Sequence, residues 1–321
     1  MQHVTAHPHG ILAVDSGYDR PGMAAIHLVI HRGRAAVVDT GTNASAPRVL
    51  AALAAAGIAP DQVDWVMLTH IHLDHAGGAG SLMCAFPNAK LLVHPRGVRH
   101  MVDPEALWAG TSAVYGAERA FALYGRLAPV PAERIAEATD ELEIDMAGRR
   151  FRILETPGHA RHHICIWDAT ARAFFTGDTF GLSYRELDVE GRASVFPTTT
   201  PTQFDPDALH ASIERLMSFA PEAMYLTHYS RVTDVDRLAA DLQRLISTEV
   251  AVAQAARGHG VARHVEILAG LEQIVREEAE RQGWTLPEAE VFDLLRMDLE
   301  LNAQGLGMWL DRPVTKETVT A

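Results

Sequence analysis

Cysteine is almost absent from the 321-residue sequence, which contains only Cys84 and Cys165. Two thiols are too few for the disulfide framework of a small secreted domain, so the sequence predicts a reduced, cytoplasmic setting. The chain also lacks an apolar run of about 18 residues, and its first residues lack the basic start and apolar stretch of a signal peptide. We therefore expect neither a membrane span nor export.

Positive charge is scarce as well. Lys and Arg total 28 against 41 Asp and Glu, which leaves a net charge of -13. Proteins that bind nucleic acid neutralise phosphates with a basic surface, so this balance predicts no nucleic-acid partner. The length suits one large domain, or one domain with an appendage.

Strand and helix patterns alternate along the first part of the chain, which predicts an α/β fold. Strands are predicted at 26–41 (a hairpin), 63–70, 90–95, 140–178 (ending in a hairpin) and 223–228. Helices are predicted at 46–56, within 97–127, and from Asp205 and Pro206, which have the residue types of a helix N-cap and first turn.

Beyond about residue 233 the pattern is almost wholly helical, with apolar positions at helical spacing and charged outer faces. We expect a catalytic domain over 1–245 and a helical extension over 246–321. The extension would cover the active site, pack on the core, or form a homodimer with a second copy of the chain.

The segment THIHLDHAGG, residues 69–78, follows a predicted strand and concentrates imidazole and carboxylate groups. In extended chain His70 and His72 point to the same side, and Asp74 and His75 follow in the turn. A histidine-rich turn without function is the simpler reading of such a run. The dense spacing favours a metal site.

Three further donors also follow predicted strands: His159 in TPGHA, Asp178 in TGDT and His228 in LTHYS. Alone, each would be an ordinary turn or capping residue. Ligands of open α/β sheets lie at the carboxyl ends of strands, so together with the first cluster they suggest one site with seven donors.

The motifs THIHLDH, TPGH, GD and TH, in this order over about residues 10–230, resemble those of the metallo-β-lactamase superfamily. The resemblance implies an αββα sandwich followed here by the helical region. It implies two divalent metal ions, one held by His70, His72 and His159, and the other by Asp74, His75 and His228, with Asp178 bridging. Nitrogen and oxygen donors suit Zn first, and also Fe or Mn.

The resemblance further implies a hydrolase whose metal-bridging hydroxide attacks an ester, thioester or lactone of a small-molecule substrate. Asp74 would orient the nucleophile and carry its proton to the leaving group. The run TPGHARHHIC is similar to glyoxalase II, and matches a non-ligand histidine of that family at His163, whereas His162 is expected to be exposed. Asp39 would support the metal loop, or would simply be a strand-end turn residue.

Other features keep alternatives open. The segment after Asp178 lacks the Gly-Cys-Gly-Arg type of sequence shared by glutathione thioesterases, which disfavours glutathione binding. The alternative activity is a mononuclear Fe persulfide dioxygenase, whose relatives use the residues matching His70, His159 and Asp178. Two tyrosines near the ligands in sequence, Tyr184 and Tyr229, would stabilise an oxyanion or would only pack. We expect His259 and His264, in the helical region, not to be ligands.

Overall fold

Strand β4 (Arg34–Val38) is apolar on both faces, and this determines its place in the molecule. In the computed structural model, which describes residues 3–200 and 202–312, Ala35 and Val37 face helices, whereas Ala36 and Val38 face a second sheet. Successive side chains of a strand point to opposite faces, so a continuous apolar run needs cover on both sides. The layers are accordingly helix, sheet, sheet and helix.

The first sheet has seven strands in chain order. Its strands are β1 (Val4–His7), β2 (Ile11–Asp15), β3 (Ala25–His31), β4, β5 (Val63–Met67), β6 (Lys90–Val93) and β7 (Ile135–Glu137). The first four strands pair antiparallel, and β4 to β7 pair parallel. The carboxyl ends of the parallel strands therefore meet at one edge of the sheet.

The second sheet has six strands in the order β13-β12-β11-β10-β9-β8. These are β8 (Glu143–Met146), β9 (Arg149–Glu155), β10 (Ile164–Asp168), β11 (Ala173–Gly177), β12 (Ala223–Leu226) and β13 (Ser230–Val232). Only β11 and β12 pair parallel, with all other neighbours antiparallel. Their two carboxyl ends lie side by side, like those of the first sheet.

Helices α1 (Ala46–Ala55) and α3 (Ala79–Ala85) cover the outer face of the first sheet, and α7 (Pro206–Met217), α8 (Val235–Ala255), α9 (Val261–Gln282) and α10 (Glu288–Leu310) cover that of the second. The other helices are α2 (Leu73–Ala76), α4 (Pro95–Val102), α5 (Glu105–Tyr115) and α6 (Ala117–Tyr124). Short 3-10 turns lie at Pro8–Gly10, Asn43–Ser45, Pro60–Gln62, Ala132–Arg134 and Arg185–Leu187. No helix among the described residues is long and apolar enough to cross a bilayer.

Three buried apolar clusters hold these layers together. Phe151 and Phe175 belong to the cluster between the two sheets, which also contains Val29. A second cluster packs α1 and α3 on the first sheet, and a third packs α7 to α10 on the second. Burying apolar surface is the dominant favourable term in folding, and here it fixes both sheets with their strand ends aligned.

The predicted α/β sandwich with a C-terminal helical region is confirmed. The helix at Asp205 and Pro206 also begins as expected, because the Asp205 carboxylate accepts a hydrogen bond from the Ala208 backbone N–H at 3.1 Å. Strands β1, β2, β7 and β13 were not predicted.

The division into 1–245 and 246–321 stays a prediction. Helix α8 runs without interruption across residues 245 and 246. Residues 313–321 of the predicted extension lie outside the described residues.

Helix α8 buries a carboxyl group, Glu249, in the C-terminal helical region. The residue is 4% exposed, and its Oε2 atom has no hydrogen-bond partner among the described residues. Burial raises the pKa of Glu249 to about 8 from an ordinary value of 4.5. The folded protein therefore holds a proton that the unfolded chain releases, and stability falls as the pH rises through this window.

We expect the substitution Glu249→Gln to remove this pH dependence, because the amide resembles the protonated carboxyl and cannot ionise. Between about pH 5 and about pH 8 the free energy of unfolding of the wild type should fall, relative to the variant, by on the order of 1–3 kcal/mol. Urea unfolding at both pH values measures this difference. The exposed Glu280→Gln is the control, and parallel pH curves for wild type and E249Q would contradict the prediction.

Candidate metal centre

One buried carboxylate, Asp39, joins the loops that leave both sheets. It follows β4, is 1% exposed, and adopts a positive φ of 57°. Its oxygens accept hydrogen bonds from the Thr69 backbone N–H at 2.8 Å, from His75 Nδ1 at 2.9 Å and from the Thr227 hydroxyl at 2.8 Å. Thr69 and Thr227 follow strands in different sheets. The sequence expectation that Asp39 supports the histidine loop matches these contacts.

The first group of donors lies where β5 runs into α2. His72 Nδ1 is 2.8 Å from His70 Nε2 and 3.2 Å from His159 Nε2. His159 comes from the loop after β9, in the other sheet. The three nitrogens face one point between the sheets.

The second group lies beside the first. Asp74 and His75 belong to α2, and His228 follows β12. Asp74 Oδ2 is 3.5 Å from His75 Nε2 and 3.4 Å from His228 Nε2. Two neighbouring residues of one short helix and one residue of the second sheet thus converge.

Asp178, at the end of β11, lies between the two groups. Its Oδ2 is 3.3 Å from His159 Nε2, whereas its Oδ1 is 3.3 Å from His75 Nε2 and 3.7 Å from His228 Nε2. One oxygen thus faces each group.

These donor separations fit metal coordination. Four donors at zinc bond lengths of 2.0–2.1 Å stand about 3.3–3.4 Å apart in a tetrahedron, close to the values here. His75 Nε2 and Asp178 Oδ1 are buried and have no hydrogen-bond partner among the described residues. Buried polar atoms are rarely left unpaired, so a cation would satisfy both. The donor sets whose atoms lie within 4.8 Å of one another are His70–His72–His159, His70–His75–Asp178 and Asp74–His75–His228.

Hydrogen bonds on the far ring nitrogens orient four of the imidazoles. His228 Nδ1 donates to the Met23 carbonyl at 2.8 Å, and His75 Nδ1 donates to Asp39. Nδ1 of His159 lies 3.0 Å from the Thr198 hydroxyl, and that of His70 lies 3.2 Å from the Thr69 hydroxyl. A partner on Nδ1 fixes the ring and leaves Nε2 for a metal, a common arrangement around bound ions.

The pKa shifts of the histidines differ between the two groups of donors. Burial lowers the pKa of all three imidazoles of the first group, His70, His72 and His159. They are therefore neutral, which is the form that binds metal.

In the second group the carboxylates outweigh burial. Burial opposes charge on His228, but Asp178 and Asp74 raise its pKa to about 9. Burial likewise opposes ionisation of Asp178, yet the surrounding imidazoles, with His75 foremost, hold its pKa well below the usual range. Protons here occupy positions that a divalent cation would take over, since metal binding releases protons from its ligands.

His163 takes the role expected of a non-ligand. Its Nε2 accepts a hydrogen bond from the Asp178 backbone N–H at 3.1 Å, so its proton lies on Nδ1, near the Thr156 and Thr179 hydroxyls. Burial holds the pKa of His163 well below its usual value. This neutral imidazole positions the Asp178 backbone.

The expectation that His162 is exposed is wrong. The residue is only 7% exposed, and its ring centroid lies 5.7 Å from that of His72. Burial lowers the pKa of His162 to about 3, with His94 and His100 also contributing. His94 and His100 belong to the segment around α4, so this segment lies near His162, and the local sequence does not show such proximity.

Helix α10 reaches the centre through the loop after β11. Asn302 accepts a hydrogen bond from the Thr199 backbone N–H at 2.9 Å and donates to the Pro197 carbonyl at 3.0 Å. The adjacent Thr198 contacts His159, and the Thr200 hydroxyl donates to the His159 carbonyl at 2.8 Å. The C-terminal helical region therefore helps to position one of the metal-facing histidines.

A cavity of about 1190 Å³ opens onto the donors and is lined by residues of α4, α5 and α10. One lining residue that the sequence analysis did not predict is Asp298 of α10, which accepts a hydrogen bond from the Tyr184 hydroxyl at 3.1 Å. Burial raises the pKa of Asp298 to about 6.

The remaining candidates from the sequence are two tyrosines and two histidines. Tyr184 is buried with Arg20 stacked 4.3 Å from its ring centroid, and Tyr229 packs on the apolar core. Neither belongs to the described lining of the cavity. His264 Nε2 is 3.1 Å from Glu300, and His259 is exposed. Neither histidine joins a donor set within the described chain.

This arrangement of strand-end histidines and aspartates within an αββα sandwich defines a class of protein. The family model of the metallo-beta-lactamase superfamily matches residues 19–228. The chain belongs to the metallo-β-lactamase superfamily.

Individual relatives are similar to this chain over only part of their length. The metallo-beta-lactamase fold-containing protein ST1585 of Sulfurisphaera tokodaii is 29% identical over 170 residues, which cover 52% of this chain and 61% of that protein. The hydroxyacylglutathione hydrolase of Acidiphilium cryptum is 31% identical over 199 residues, which cover 62% of this chain and 61% of the enzyme. These alignments thus span about three fifths of each relative.

The likeness in structure extends further along the chain. A crystal structure of ST1585 from Sulfolobus tokodaii superposes with a TM-score of 0.65, covering 94% of this chain and 99% of that one at 22% identity. At this identity the comparison concerns the fold alone, and its coverage includes most of the C-terminal helical region.

We expect Asp39→Asn to destabilise the metal-free protein, because the amide turns an acceptor into a donor that faces hydroxyl and N–H groups. The free energy of unfolding should fall by about 1–3 kcal/mol, measured by urea unfolding in the presence of chelator. Thr227→Val removes only one of the hydrogen bonds and should cost less. Equal stability of D39N and wild type would show that Asp39 does not hold the loops together.

Proposed function

We propose that this protein is a dinuclear metal-dependent hydrolase that cleaves an ester, thioester or lactone carbonyl. The observation that carries the proposal is the placement of Asp178, with one carboxylate oxygen facing each group of donors. A bridging carboxylate is a means of holding two cations close together, which is the arrangement used in dinuclear hydrolytic sites.

In this proposal residues from both sheets would hold each ion. His70, His72 and His159 would hold the first ion, Asp74, His75 and His228 the second, and Asp178 would serve both. When bound, the two ions would supply an activated water and would stabilise the developing charge on the substrate oxygen. Nitrogen and oxygen donors without thiolate suit Zn first, and also Fe or Mn.

Asp74 has the position of a proton carrier. One oxygen faces His75 and His228, the side chain is 20% exposed, and the residue lines the cavity. Burial opposes its ionisation, but those two imidazoles hold the pKa of Asp74 below its usual value. As an anion beside the cavity, Asp74 would orient the nucleophile and pass its proton to the leaving group.

The hydroxyacylglutathione hydrolases among the relatives favour a thioester, in keeping with their names. The segment after Asp178 nevertheless differs from the Gly-Cys-Gly-Arg type. Here its Pro197–Thr200 part is held by Asn302 of α10. We therefore propose hydrolysis of an ester, thioester or lactone, and we do not propose a glutathione thioester as the substrate.

A mononuclear Fe persulfide dioxygenase is the alternative. Two histidines and one carboxylate are a common ligand set for non-haem iron, and His70, His159 and Asp178 would provide it. In this alternative Asp74, His75 and His228 would lie close together without binding an ion.

The substitution Asp178→Ala should abolish both metal retention and turnover, because both ions lose a ligand. Metal content after gel filtration and hydrolysis of a thioester panel measure the two effects. Asp293→Ala changes an exposed aspartate of α10 and should leave both unchanged. Near-normal activity of D178A would refute the bridging assignment.

The substitution His228→Ala should affect the proposed hydrolase and the alternative dioxygenase differently. In a dinuclear hydrolase it should remove the second ion and lower kcat/KM by at least about 100-fold. In the dioxygenase His228 is not a ligand, so oxygen uptake on glutathione persulfide would persist with one Fe per chain. That second result would contradict the proposed hydrolysis.

A further inference from the structure

The cavity over the metal centre is larger than hydrolysis alone requires. At about 1190 Å³ it exceeds the roughly 300–1,000 Å³ of ordinary ligand pockets. Its lining away from the metal ligands includes residues of α4, α5 and α10, together with loop residues such as those at 198–200. These lining residues would therefore contact the parts of the substrate other than the bond that reacts.

Most of these walls are apolar. Val98 and Val102 lie one helical turn apart on α4, and Leu107 belongs to α5. Met297 and Leu301, again four residues apart, provide the α10 side. Side chains at i and i+4 share a helix face, so both walls present an apolar stripe to the cavity. A hydrocarbon chain would bury surface against both stripes.

The exposed part of the lining is basic. Arg96 and Arg99 lie three residues apart on α4, and Arg161 lies beside His162. All three are exposed, and none forms an ion pair within the described chain. The exposed Asp103 is the acidic lining residue next to α4. In a protein with a net charge of -13, three guanidinium groups that form no ion pair within the described chain and line one cavity favour an anionic ligand.

We propose that the cavity binds an acyl thioester or ester with an apolar acyl chain and a phosphate-bearing leaving group. This inference rests on the proposed function. Phosphate matches several guanidinium groups because it offers three acceptor oxygens and up to two charges. The acyl C–S or C–O bond breaks, the new C–O bond takes its oxygen from water, and the leaving thiol or alcohol takes a proton.

Binding of non-hydrolysable thioethers to the metal-loaded protein tests the proposal apart from turnover. The probes share an octyl group, attached to coenzyme A, to glutathione or to N-acetylcysteamine, which lacks the phosphates. By calorimetry S-octyl-coenzyme A should bind at least about tenfold more tightly than the N-acetylcysteamine thioether, with a smaller difference at high salt. Equal affinities of these two would overturn the proposal.

The double substitution Arg96→Gln with Arg99→Gln should weaken S-octyl-coenzyme A binding by about tenfold and leave the N-acetylcysteamine thioether within about twofold. Arg150→Gln, an exposed arginine outside the cavity lining, is the matched control. Unchanged affinity in the double variant would refute the role of α4. Equal binding of S-octylglutathione would show that carboxylates are recognised, and the phosphate assignment would be wrong.

Gly110 allows a test of the apolar wall. It lines the cavity from α5, and a Cβ at this position would meet no atom within 4 Å. Gly110→Leu should place its side chain in the cavity and weaken binding of the octyl thioether by at least about tenfold, while favouring the helix. Gly307→Leu is the control, because Gly307 is also helical and open but outside the cavity lining. Equal affinities of the two variants would contradict the acyl site.

The outcomes separate this inference from the proposed hydrolysis. Tight binding of S-octyl-coenzyme A without hydrolysis of octanoyl-coenzyme A would leave the binding site standing and count against the hydrolase. Hydrolysis of octanoyl thioesters with no preference for the phosphate-bearing leaving group would keep the hydrolase and overturn the binding site.

Discussion

The hydrogen bonds to the buried carboxylate of Asp39 are the interaction on which the candidate metal centre depends. This carboxylate accepts hydrogen bonds from Thr69 and His75 after β5 and from Thr227 after β12. A carboxylate buried this deeply is stable only when donors surround it, so the three loops must meet at one place. The aligned carboxyl ends of the two sheets make that meeting possible. Each sheet then contributes donors to the same small volume.

The loops bring many titratable donors into one buried volume. One group of donors contains neutral imidazoles, whereas the other contains two carboxylates and two imidazoles with raised pKa values. Asp178 faces both sides, and its Oδ1 atom lacks a hydrogen-bond partner within the described chain. Divalent cations would stabilise this arrangement, since they would bind the unpaired atoms and replace the protons.

The sequence predicted the seven donors from short motifs near strand ends and from the resemblance to the metallo-β-lactamase superfamily, and the structure brings these side chains close together. Their role as metal ligands stays a prediction. The positions of His162 and Asp298 could not be predicted in the same way. His162 lies near His94 and His100 of the segment around α4, and Asp298 lines the cavity from α10, which packs on the second sheet. Such tertiary contacts leave no periodic signal.

The C-terminal helices are more than an appendage in this protein. Asn302 holds the loop that contacts His159, and Met297 and Leu301 form one wall of the cavity. Part of the cavity lining thus comes from helices α4, α5 and α10, which the metal motifs do not include. The motifs therefore identify the family better than they identify the substrate.

The metal content of protein purified without added metal tests the central claim most directly. Elemental analysis should find about two divalent ions per chain, as expected of a two-metal site. A single Fe per chain, or no bound metal in an active protein, would contradict the claim that all seven donors serve one dinuclear centre.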